Sequence, residues 1–136
     1  MKEDFVTYEQ AVQLKELGFD RDTDYYYSGY DKQLYSRWMP NGFDYNEPPT
    51  PAPTLSQAQK WLREVKETYV EARLRWSKSN EVKFEANIGW PVLSDPSFFT
   101  HLSTLFDTYE AALSAGVDEA LECLKRILDR LKELNE

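Results

Sequence analysis

Two stretches near the middle of the chain alternate apolar and polar residues without a break, and they limit the fold more than any other feature. From Tyr69 to Trp76, residues Val70, Ala72, Leu74 and Trp76 fall on one face, with Glu71, Arg73 and Arg75 on the other. That is the period of two of an extended strand. After Ser77-Lys78-Ser79-Asn80 the alternation resumes, with Val82, Phe84, Ala86 and Ile88 against Lys83, Glu85 and Asn87. Two such runs joined by a short polar link predict an antiparallel hairpin, half-buried on its apolar face. Residues 98 to 106, Phe98 to Phe106, continue as a third strand whose alternation is clear from Thr100 onward, completing a meander. A sheet with one apolar face needs helices to cover it.

The chain supplies them with their start signals. Thr108 is placed to cap the longest helix, in which Tyr109, Ala112, Val117, Ala120, Leu121, Leu124, Ile127, Leu128 and Leu131 form a wide apolar stripe reaching towards residue 134. Gly116 weakens its middle by about 1 kcal/mol relative to Ala and marks Ser114 to Asp118 as the place for a local break. Thr7 with Gln10, and Thr54 with Gln57, have capping-box spacing. They predict helices over residues 8 to 17, closed by Gly18, and over about 55 to 66, where Leu55, Ala58, Trp61, Leu62 and Val65 share a face. Residues 24 to 38 are rich in tyrosine and read as two short strands around a turn. Pro40, Pro48, Pro49, Pro51 and Pro53 then predict a loop without regular structure over residues 39 to 53. Phe5-Val-Thr-Tyr-Glu-Gln-Ala and Phe106-Asp-Thr-Tyr-Glu-Ala-Ala echo each other within one helical turn, as two similar helix starts do.

These elements predict the α+β class: one domain over residues 1 to 136, with a three-stranded antiparallel meander, a small N-terminal hairpin, helices on one face and a long C-terminal helix. The order of the second helix, three strands and the last helix is that of a double-stranded RNA-binding domain. Such domains carry lysines where this last helix begins Thr108-Tyr109-Glu110, so that function does not follow. A net charge of -8 also opposes phosphate backbones at long range, and would instead attract a basic partner. With Cys123 alone there is no intrachain disulfide, Met1-Lys2-Glu3-Asp4 does not open a signal peptide, and no segment is long and apolar enough to span a bilayer. A cytoplasmic protein is expected.

The motifs for phosphate cradling, for a GxSxG nucleophile and for a HExxH zinc site are absent, and one histidine cannot build a two-histidine metal site. His101 and Cys123 could pair as base and nucleophile, but a strand histidine and a cysteine beside a helical stripe read as structural. Asp20, Asp22 and Asp24, with Ser28 and Asp31 at the ninth and twelfth places, resemble the opening of a calcium loop. Tyr25 stands where its sharp turn needs glycine, and no helix follows. A solvated acidic turn fits better, and no cofactor is expected. Pro48-Pro-Thr-Pro51 has PxxP spacing, which as a loop reads as a spacer.

Aromatic residues make up 15% of the chain, more than its core needs, and they gather in one place: Tyr25, Tyr26, Tyr27, Tyr30, Tyr35, Trp38, Phe43 and Tyr45. Strand alternation cannot bury Tyr25, Tyr26 and Tyr27 on one face, so at least one ring must point away from the core. Either the proline loop covers it, or the rings form a binding surface in which tyrosine and tryptophan offer large contact area with a polar tip. The binding set is then Tyr25, Tyr26, Tyr30, Tyr35, Trp38, Phe43 and Tyr45. On the last helix, acids such as Glu110, Asp118, Glu119, Glu122, Asp129 and Glu133 interleave with Lys125, Arg126, Arg130 and Lys132, as on a solvated face.

Three segments also resemble small proteins encoded by gut Bacteroidetes and their phages and prophages. They are Phe5-Val-Thr-Tyr-Glu-Gln-Ala with Leu14-Lys-Glu-Leu-Gly-Phe19, Ala52-Pro-Thr-Leu-Ser-Gln-Ala58 with Trp61-Leu-Arg, and Thr108-Tyr-Glu-Ala-Ala. The resemblance implies an intracellular, phage-associated protein and carries no activity or site residues. The residues together predict a non-catalytic interaction protein, an accessory factor of a phage or mobile element that binds a host protein through its aromatic region or acidic surface. The alternative is a binder of a small flat ligand, a nucleotide or sugar stacked near Tyr25 to Tyr45. Abundant carboxylates leave a two-acid glycosidase as a third reading, without a specific pair to support it.

Overall fold

The structure is a computed structural model that describes residues 4–36, 48–90 and 99–135. Its elements run α1 (Tyr8–Glu16), β1 (Tyr25–Tyr27), β2 (Leu34–Ser36), β3 (Thr50–Pro51), α2 (Leu55–Val65), β4 (Tyr69–Trp76), β5 (Val82–Gly89), β6 (Phe99–His101) and α3 (Tyr109–Leu134). The class is α+β, with a long C-terminal helix. The described strands form two antiparallel three-stranded sheets, ordered β2-β1-β3 and β4-β5-β6, where the sequence predicts one sheet and a hairpin. Two compact units hold them, Met1–Gln57 and Ala58–Glu136.

In the first unit, the Thr7 hydroxyl accepts from the Gln10 N–H and the Gln10 side chain accepts from the Thr7 N–H, so the capping box forms as spaced. The helix closes through Leu17 onto Gly18 at φ +99°, where glycine carries no Cβ penalty. β1 and β2 make the expected hairpin, pairing Tyr25 with Ser36, Tyr26 with Tyr35 and Tyr27 with Leu34. The proline segment departs from expectation. Thr50 and Pro51 pair with Tyr27 and Tyr26, and the Ala52 N–H donates to the Tyr25 carbonyl. Pro51 is tolerated because β3 is an edge strand, where one side needs no N–H donor. The Val6 N–H donates to the Pro53 carbonyl and the Leu55 N–H to that of Asp4, which fastens the N-terminal segment to this edge.

α2 starts at the Thr54–Gln57 capping box. In the second unit its residues Ala58, Trp61 and Leu62 are buried, and the Gln59 side chain donates to the Val70 carbonyl. β4 and β5 pair in register from Tyr69 with Gly89 to Trp76 with Val82. β6 is shorter than predicted: among the described residues Phe99 to His101 pair with β5, the Leu102 N–H donates to the Ala86 carbonyl, and Phe106 returns to exchange hydrogen bonds with Phe84, while Phe98 lies outside the described residues.

α3 is continuous over 26 residues, and the break expected around Gly116 does not occur. Gly116 is instead a point of close approach: a Cβ there would stand 2.7 Å from Val70 Cγ1 and 3.5 Å from Ala86 Cβ. The missing side chain lets the helix lie directly on the β4–β5 pair. The loss of helix propensity is offset by the packing it permits.

Candidate interaction surface

Most of the tyrosines that the sequence singles out are engaged within their own unit. Tyr25 and Tyr27 share one face of β1. The Tyr25 ring packs on Phe5 at 4.8 Å between centroids, and Tyr27 meets Tyr8 edge-on at 5.8 Å. The Tyr27 hydroxyl donates to the Val6 carbonyl, and burial, helped by the Glu9 carboxylate, pushes its pKa upward. Tyr26 points to the other face beside its register partners Tyr35 and Pro51. The Tyr35 hydroxyl donates to Asp31, whose second carboxylate oxygen accepts from the Gln33 N–H. These two bonds hold the Asp31 carboxyl below its ordinary range. Tyr30, at 80% exposure, is the most open ring among the described tyrosines of this group, and the Tyr25 ring is partly open beside Phe5. Trp38, Phe43 and Tyr45 lie outside the described residues.

Asp20, Asp22 and Asp24 are exposed, and among the described residues no cluster of such side chains could hold a metal ion. His101 and Cys123 stand on opposite sides of the second sheet. His101 pairs with Asn87, which points away from the face where Ala86 meets α3, whereas Cys123 belongs to α3. The Cys123 thiol donates to Glu119, and burial with that carboxylate raises its pKa, the reverse of what a nucleophile needs. The polar face holds an Arg75–Glu85 pair at 2.5 Å and a buried Asn87 whose Nδ2 has no partner among the described residues.

The open apolar surface lies elsewhere, at the two ends of the α3–sheet packing. The first end is the tip of the β4–β5 hairpin. Sequence alternation predicts Val70, Ala72, Leu74 and Trp76 as one buried face, but only Val70 is buried. Ala72 is half-buried, while Leu74 and Trp76 are exposed, Trp76 by 66%. The cause is where α3 begins. Tyr109 of its first turn packs edge-on against Phe84, and the cross-strand pair Trp76 and Val82 lies beyond it.

The second end is the rear of α3. Ala112, Leu113, Val117, Ala120 and Leu121 are buried, whereas Ile127 is 52%, Leu131 53% and Leu134 76% exposed. A length argument explains the change. From Ala86, which faces Gly116, three residues of β5 remain to Gly89, about 10 Å of strand. α3 covers that in about seven residues and so runs off the sheet near Cys123. The stripe itself continues. Val117, Leu124 and Leu131 recur every seven residues, with Ala120, Ile127 and Leu134 three after each, which is coiled-coil spacing. Leu128 widens it.

The charges around this exposed stripe have one sign. On a helical projection the positions beside it are Lys125 and Lys132 on one edge and Arg130 on the other, while Asp129 and Glu133 lie towards the back. Lys125, Arg126, Arg130 and Lys132 make no ion pair among the described residues. Periodicity alone does not set this surface apart, because the apolar stripe has the same spacing along the whole helix. The available signal was length, since 26 residues make a helix of about 39 Å and eight-residue strands span about 26 Å.

Among the described residues, no helix is long and apolar enough to cross a membrane. No family model matches this sequence, and neither a curated protein nor a solved structure matches it.

Proposed function

We propose that this chain is a non-catalytic interaction protein that docks a protein partner on the rear half of α3. The observation that supports this is the exposure of Ile127, Leu128, Leu131 and Leu134 as one continuous stripe on a regular helix. Scattered exposed leucines are ordinary, but an aligned row on a rigid element is a surface that a partner can desolvate. The resemblance to proteins of Bacteroidetes and their phages adds an accessory role in a phage or mobile element, with a host protein as the partner and the cytoplasm as the place.

Photocrosslinking tests the reading. A photoreactive amino acid in place of Leu131 yields one dominant protein adduct from host lysate, and the adduct disappears when Ile127→Asp is added. The same probe at Tyr30 reports on the aromatic sheet of the first unit. Adducts at Tyr30 alone would move the function to that sheet, and adducts at neither position would remove the docking role.

A further inference from the structure

We infer that the partner presents an amphipathic helix whose apolar seam is bordered by acidic side chains, and that it pairs with α3 along Leu124, Ile127, Leu131 and Leu134. The inference rests on the docking role of this helix face and names the chemistry of its occupant.

Spacing and charge carry it. The alternating three- and four-residue steps from Leu124 to Leu134 present knobs in the register that a second helix accepts, with Leu124 half-buried at the start and Ile127, Leu131 and Leu134 exposed. The bordering Lys125, Arg130 and Lys132 have no carboxylate partners among the described residues, in a chain whose net charge is -8. An acidic border on the incoming helix would pair with them, and like charges would be excluded.

The same border argues against a second copy of this chain. In either orientation, two rear halves of α3 bring lysine and arginine edges together, and like charges repel across such a seam. An anionic lipid surface would accept the cations but would be repelled by the 24 acidic residues of the chain. The stripe also lacks the aromatic residues that anchor interfacial helices.

The test uses the full chain and two labelled helical peptides that share leucine at every seam position and differ only in carrying glutamate or lysine at the borders. Fluorescence anisotropy should give the glutamate peptide a dissociation constant of order 10 µM, with the lysine peptide at least about tenfold weaker. Leu131→Asp should abolish binding of the glutamate peptide without changing the melting temperature. The triple variant Lys125→Glu, Arg130→Glu, Lys132→Glu should reverse the preference.

Equal binding of both peptides, or an unreversed preference in the triple variant, would overturn the acidic partner. Binding to neither peptide would overturn it too. If crosslinking through position 131 still captures a protein, the docking face survives with a different occupant. Sedimentation showing a dimer that Leu131→Asp dissolves would assign the seam to a second copy. Flotation with phosphatidylglycerol vesicles, undisturbed by the glutamate peptide, would assign it to lipid.

Discussion

The front and rear halves of α3 carry the same apolar spacing and have opposite fates. In the front half, Val117, Ala120 and Leu121 lie fully buried, and Gly116 brings the helix backbone against Val70 and Ala86. In the rear half the same spacing continues through Leu124, Ile127 and Leu131 into open surface. Periodicity says which side of a helix is apolar. Whether that side is core or interface depends on how far the opposing sheet extends.

The sharpest way to break the comparison is to delete equal side chains from each half. Leu121→Ala should cost about 2 to 5 kcal/mol of stability, as large-to-small changes in a packed core do. Leu131→Ala, at a half-exposed position, should cost well under about 1 kcal/mol. Urea denaturation of both variants measures the contrast, and equal losses would mean that the rear half is packed in solution.

A smaller effect tests the contact that seats the front half. Gly116→Ala should destabilise by about 1 to 3 kcal/mol, even though alanine is favoured by about 1 kcal/mol in an open helix. Adding Val70→Ala, which removes the methyl group in the way, should recover part of the loss relative to Val70→Ala alone. Without the close approach, Gly116→Ala would stabilise. Next comes the cap at the front of the helix: Thr108→Ala removes the hydroxyl that accepts from the Ala111 N–H and should cost about 1 kcal/mol by thermal melting.

The smallest prediction lies in the first unit, as a control that leaves the residues of α3 unchanged. The Tyr35 hydroxyl, then the Gln33 N–H, hold the Asp31 carboxyl low, so the unfolded chain takes up that proton first as pH falls. The resulting stabilisation is complete above about pH 4 and is lost as pH drops through the lower folded value. An NMR titration should show the Asp31 carboxyl moving back up towards the ordinary range in Tyr35→Phe, with the α3 resonances unchanged.

Much of the local architecture was legible in the residues alone. Thr7, Thr54 and Thr108 each cap the helix that their spacing predicts, because a cap is made within four residues. The β4–β5 hairpin lies where its alternation places it, because strand period and turn are also local. The third strand of the first sheet was missed because a proline-rich segment lacks donors. Only the open edge beside β1 makes Thr50 and Pro51 acceptable. For Tyr25, Tyr26 and Tyr27 the sequence required that at least one ring leave the shared face, because side chains alternate along a strand. It could not show that Phe5 and Tyr8 would pack on Tyr25 and Tyr27.

Sequence by itself determined the α+β class, the helix starts, the strand pairing of the central hairpin and the continuous seam of α3, since each depends on residues a few positions apart. Tertiary structure alone decided that Gly116 is a contact rather than a break, that Leu74 and Trp76 stand beyond the helix that covers Val70, and that the seam leaves the sheet near Cys123. These outcomes depend on where one element ends against another. No local pattern encodes that distance, because it is set by the relative lengths and placement of strands and helix after they pack.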